Sequence, residues 1–161
     1  MQACAGPQTI RKNGLSYLKI GDPMPKKGMS RLEGRPLRDT TMNEGGYTWR
    51  GCLLEYEDGT VLVEGDFVQG KTVNRIRVQT PEFHVKGGLK VGDRMPGLLA
   101  KTDEWVVRPF PSYQLLELIS PKFPRTIFLV RAPGFDYEAE VEEVKVDEVA
   151  ASAEVVGIVV M

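Results

Sequence analysis

Apolar and polar positions along the chain follow strand periods far more often than helical ones. Arg75, Arg77 and Gln79 alternate with Ile76 and Val78, the period of two expected of a strand with one wetted face. Residues 52–56 and 60–64 are short apolar runs on either side of Glu57-Asp58-Gly59, a hairpin signal. Residues 155–161 form a continuous apolar run that reads as a closing core strand. Helical spacing is confined to Met95, Leu98 and Leu99, where Pro96 suits a first turn. A strand is expected at 15–20 and again at 89–91.

The same words recur. Leu18-Lys19-Ile20-Gly21-Asp22-Pro23-Met24-Pro25 returns as Leu89-Lys90-Val91-Gly92-Asp93-Arg94-Met95-Pro96, identical at six of eight positions. Downstream, Cys52-Leu53-Leu54-Glu55-Tyr56 resembles Gln114-Leu115-Leu116-Glu117-Leu118, and the run from Thr60 resembles that from Ile127. Val73 to Val78 resembles Val155 to Val160. The order of the words is kept and only the spacers differ, which is the mark of one unit used twice. In each copy the glycine turns the chain, the aspartate is placed to cap a following helix, and Met24 or Met95 anchors that segment on a sheet. Pro23, Pro25 and Gly28 weaken the first helix. The pattern predicts an α+β chain of two tandem β-α-β-β-β modules, mainly antiparallel with short helices. Their bounds are 14–86 and 87–161, behind a flexible tether at 1–13.

Composition changes this picture little. The 161 residues carry a net charge of −1, which gives no bulk attraction to nucleic acid. Charge is uneven: residues 11–50 hold nine Lys/Arg against four Asp/Glu, while the acidic insertion at about 133–154 holds eight Asp/Glu against Lys145. Solvated faces explain this simply; a bipolar surface for a partner is the sharper reading. No stretch is long enough to cross a membrane as a helix.

Candidate chemistry is sparse. His84 is the single histidine and reads as a linker or strand-edge residue; the usual cysteine/histidine metal sites lack ligands. Gly65-x4-Gly70-Lys71-Thr72 meets the spacing of a phosphate-binding loop, but a strand rather than a helix follows it. No catalytic residue, metal or cofactor is assigned. Two aromatic clusters remain, each ahead of a Leu-Leu-Glu strand: Tyr47 and Trp49 beside Arg50, and Trp105 and Tyr113 beside Arg108. These six are the candidate binding residues, because Tyr, Trp and Arg dominate binding hot spots. Gly45-Gly46 suits an adaptable loop before the first cluster.

Ala3-Cys4-Ala5-Gly6 resembles the mature start of bacterial lipoproteins, in which the cysteine is lipidated. Together with Ile20-Gly21-Asp22 and Val91-Gly92-Asp93, it gives the chain a resemblance to small bacterial envelope proteins built from helix-plus-antiparallel-sheet repeats. These are the β-lactamase-inhibitor-protein-like and SmpA/OmlA-like modules. The resemblance implies a non-enzymatic periplasmic lipoprotein, held to the membrane only through Cys4, that binds an envelope protein or supports an assembly there. The alternative is a periplasmic small-molecule or glycan binder using the Trp/Tyr clusters, and behind it a nucleotide-binding enzyme.

Overall fold

A computed structural model describes residues 8–161. Cys4 therefore lies outside the described residues. The strands are β1 (Gln8–Ile10), β2 (Arg31–Leu32), β3 (Arg35–Glu44), β4 (Tyr47–Tyr56), β5 (Gly59–Gly65), β6 (Val73–Gln79) and β7 (Phe83–Val85). They continue, after the helix α1 (Met95–Leu99), with β8 (Val106–Phe110), β9 (Leu115–Ile119), β10 (Thr126–Arg131) and β11 (Glu154–Val160). Nine strands form one antiparallel sheet in the order β2-β3-β4-β5-β6-β11-β10-β9-β8, and β1 pairs in parallel with β7. β1 lies within the segment read as a tether. No helix among the described residues is long and apolar enough to cross a membrane.

The α+β expectation of helix-bearing modules is overturned: the protein is mostly β. The reason lies in the echo itself. Asp22 and Asp93 do not cap helices. Each carboxylate reaches back to accept the N–H of the lysine three residues earlier, Lys19 at 2.8 Å and Lys90 at 2.9 Å, which closes a turn. Prolines then keep residues 23–30 out of a helix, and α1 amounts to five residues with Arg94 at its N-cap and no side-chain cap. Residues 15–18 are likewise a tight turn, with the Leu15 N–H donating to Leu18 O at 2.8 Å, rather than a strand.

The two turns make the same bonds at matching places. The Gly21 N–H donates to Val73 O and the Val73 N–H to Asp22 O; the Gly92 N–H donates to Val155 O and the Val155 N–H to Asp93 O; all four are 2.8 Å. Each turn thus grips the first residues of one of the two central strands. Those strands pair antiparallel with Arg77 opposite Val159, flanked by Val78–Ile158 and Ile76–Val160. The words Val73–Val78 and Val155–Val160 therefore meet about a local two-fold. Farther out the word match slips. Val63 pairs with both Ile76 and Cys52, while Phe128 pairs with both Ile158 and Leu118. Cys52 therefore holds the place of Leu118, four residues from its sequence match Gln114.

One face of the sheet carries the core. Leu54, Val61, Val63, Ile76, Leu116, Leu118, Phe128 and Ile158 are buried there against Leu15, Leu18, Met24, Phe83, Leu89, Met95 and Leu98. Both echo methionines anchor in this core. The acidic insertion is not simply solvated: Val144 donates its N–H to Val107 O at 2.9 Å and covers the β8 edge, while Val149 and Ala153 join the core.

Gly21 and Gly92 have φ of 88° and 100° with open space where a Cβ would go, so backbone strain alone opposes a side chain. Gly21→Val and Gly92→Val should each lower stability by about 1–3 kcal/mol in urea unfolding. Gly97→Ala, in α1 without that constraint, should be neutral or stabilising. Equal tolerance at all three positions would show that the two turns do not depend on their glycines.

Candidate binding face

The opposite face of the sheet is built from the alternate residues of the same strands. Trp49, Leu62, Leu129 and Val159 are buried, yet none belongs to the core on the other side. At their centre sits Glu64, with no solvent exposure at all. Arg75, its cross-strand partner, donates Nε to Oε2 and an Nη to Oε1, both at 2.7 Å, and Trp49 Nε1 donates to Oε1 at 3.1 Å. The bidentate bond raises the Arg75 guanidinium pKa further. Arg77 approaches the same carboxylate at 4.0 Å and lies 5.9 Å from the ring centre of Tyr113. Its Nε is buried without a protein partner.

Glu117 of β9, cross-strand from Leu129, lies on this same face and is half-buried. Burial is the larger cause and raises the Glu117 carboxyl pKa, while Arg108, Arg75 and Arg77 pull it down. Across this floor, arginine and glutamate side chains thus stand on both sides of the apolar pair Leu129 and Val159.

Two turns rise beside this floor. Gly45 (φ 59°) and Gly46 (φ 83°) make a two-residue turn in which Glu44 still pairs with Tyr47. That is the tight hairpin geometry with two positive φ angles, with both glycines confined to the two-residue turn. The second turn is the Gly65–Thr72 segment. Here the Asp66 carboxylate accepts the N–H groups of Val68 (3.2 Å), Gln69 (2.7 Å), Lys71 (2.8 Å) and Thr72 (3.1 Å). These bonds depress its pKa well below the ordinary carboxylate range. The amides that would face a phosphate are thus already taken by the chain's own side chain, and β6 follows in place of a helix. What the loop presents outward is Phe67, 57% exposed, and Val68, 91% exposed. The Phe67 ring meets Trp49 edge-on at 4.9 Å, and with Glu44 and Tyr47 (77% exposed) they line an open cleft of ≈380 Å³.

The six residues singled out in the sequence divide between the faces. Tyr47, Trp49, Arg108 and Tyr113 belong to the face opposite the core or its rim. Arg50 lies on the core side, where it bonds Asp39 Oδ1 at 2.8 Å; with the Gly28 N–H, it lowers the Asp39 pKa to about 2. Trp105 is a core residue, stacked on Phe123 at 5.8 Å and donating Nε1 to Leu98 O at 3.2 Å. Neither can join the cluster. Glu64, Arg75, Arg77, Phe67 and Val68 were not anticipated. The alternation of Arg75 and Arg77 was the available signal, since a buried strand neighbour must answer those charges. Cys52 is buried beside Asp39, and burial pushes its thiol pKa up to about 11, away from nucleophilic use. Among the described residues no group of three His, Cys, Asp or Glu side chains is placed to hold a metal ion.

No protein-family model matches the chain, and no curated protein does. A solved structure, described as the uncharacterized protein yfeY from Escherichia coli, is similar with a TM-score of 0.68. The match covers 94% of this chain and 98% of that one, with 14% sequence identity. That likeness shows the fold alone.

Arg75→Ala should cost about 3–5 kcal/mol, because it leaves the buried Glu64 without its bidentate partner, and Glu64→Ala should cost less, because Arg75 keeps 20% of its side-chain surface in water. The double variant should cost about 1–3 kcal/mol less than their sum in urea unfolding. Strict additivity would mean that the pair does not hold the face together.

Proposed function

We propose that this chain is a non-enzymatic binding protein of the bacterial envelope that docks a protein partner through the tip formed by Tyr47, Phe67 and Val68. The observation that carries the reading is the exposure of these three large apolar side chains on two hydrogen-bonded turns. Exposed apolar groups held on hydrogen-bonded turns need little backbone ordering on binding, which favours docking. Behind them, Trp49 and Arg75 on Glu64 supply a stiff base, and the Arg/Glu floor offers charged groups to a partner's rim. The glycan reading has less support. Of the aromatic residues it would use, Trp49 and Trp105 are 9% and 8% exposed and offer no open indole face, which leaves only the exposed Tyr47 and Tyr113 rings for a sugar. The envelope setting rests on the Ala3-Cys4-Ala5-Gly6 resemblance.

A photo-crosslinking amino acid placed at Tyr47, Phe67 or, as a control, the exposed Glu142 tests this in living cells. Discrete adducts are expected from Tyr47 and Phe67 and not from Glu142, and Val68→Asp should remove them without altering thermal unfolding. Absence of adducts, or the same adducts from Glu142, would overturn the docking face. In the same cells, Cys4→Ser should shift the chain from the membrane to the soluble fraction, and an unchanged distribution removes the lipid tether.

A further inference from the structure

A cavity of ≈550 Å³ lies elsewhere, where three turns meet. It shares no residue with the aromatic cleft. Because β1 and β7 run parallel, the segments that leave both strands emerge at the same end. The loop between β9 and β10 closes the third side, held by the Phe123 N–H on Ser120 O (3.0 Å) and the Thr126 N–H on Phe123 O (3.2 Å). The floor is apolar: Ile10, Val85 and Phe123 are buried residues that line it, with Pro124 beside them. Trp105 stacks on Phe123, so the floor is backed by the core.

The rim is of one sign. Arg11, Lys12, Lys86 and Lys122 line the cavity with His84, and no Asp or Glu does. None of these four cations makes an ion pair among the described residues. Lys122 is tied only to the neutral backbone carbonyl of Lys101. Four unanswered positive charges around an apolar floor are an arrangement that folding alone does not require, since like charges brought together repel. Their complement is a ligand with an anionic head and an apolar body, and the volume is that of an ordinary small-molecule pocket.

We propose that this cavity binds a single-chain fatty acid, with the alkyl chain on Ile10, Val85, Phe123 and Pro124 and the carboxylate among Arg11, Lys12, Lys86 and Lys122. The head would take charge-assisted hydrogen bonds from flexible side chains that need no rearrangement of the sheet. Lysine stems can line such a wall while their charged ends reach the head, Lys122 by exchanging its bond to the Lys101 carbonyl.

Calorimetric titration of residues 1–161 with dodecanoate, below its micelle concentration, tests the site. Saturable one-to-one binding is expected. Dodecanol, which keeps the chain and lacks the charge, should bind at least about tenfold more weakly. A Lys12→Gln/Lys86→Gln/Lys122→Gln triple variant should lose a similar factor, and Pro124→Glu, which sets a negative charge at the cavity on an exposed loop, should lose more. Amide shift changes on titration should fall at 9–12, 84–87 and 122–126. Dodecanol binding as tightly as dodecanoate, a triple variant of full affinity and normal circular dichroism, shifts centred elsewhere, or inorganic phosphate binding as tightly as dodecanoate would each overturn the assignment.

Discussion

The antiparallel pairing of β6 with β11 is the constraint on which the rest of the structure depends. These two strands are the middle of the nine-stranded sheet, and each carries one half of the chain outward: β5-β4-β3-β2 on one side, β10-β9-β8 on the other. Without that seam, Ile76 and Val78 would lose Ile158 and Val160 as neighbours, and each half would expose an edge as well as half a core. The repeated Gly-Asp turns secure the seam from both ends. Each donates one backbone bond to the central strand and accepts one, then continues into a methionine buried beneath the sheet. Sequence repetition has here become two-fold pairing within one chain, and the halves share one core.

The second face follows from the first. Strand alternation that sends Val63, Ile76 and Leu118 into the core must send Glu64, Arg75 and Glu117 the other way. Glu64 is closed to water on that side too, so its charge needs a partner with good geometry. Glu64 has three donors, two from Arg75 and one from Trp49. Such a pair does little for net stability compared with apolar packing of the same volume. We infer that its value is positional: it fixes the Trp49 indole, against which Phe67 rests, and so sets where the exposed tip stands. Asp66 does for the loop what Glu64 does for the floor. Rigid support beneath exposed apolar side chains is the economy of a binding surface.

Strand content was readable from the residues, and helix content was not. The alternation of 75–79 and the hairpin around residues 57–58 gave β6 and the β4–β5 pair directly, because period and turn chemistry agreed there. Gly-Asp followed by a proline-containing segment is ambiguous: an aspartate can cap forward or close a turn backward, and only the tertiary bonds to Val73 and Val155 decide it. The binding cluster failed for a simpler reason. Trp49 and Arg50 are neighbours on a strand and must point to opposite faces, so grouping them by proximity in sequence was bound to separate in space. Phe67 and Val68 were hidden by their setting in a segment that spelled a phosphate loop. Its own aspartate, one residue after the first glycine, was the sign that the amides were already spoken for. Cross-sheet features, such as the approach of Arg77 to the Tyr113 ring, depend on tertiary packing that no local pattern encodes.

Native-state hydrogen exchange over the central strands tests the shared seam most directly. If β6 and β11 join two halves into one cooperative unit, the Val73, Val78, Val155 and Ile158 amides should open with one free energy, equal to that of global unfolding. The denaturant dependence should be the same for residues from either half. Amides of one half that exchange through a distinctly lower-energy opening, while the other half stays protected, would show two independent modules and contradict the account.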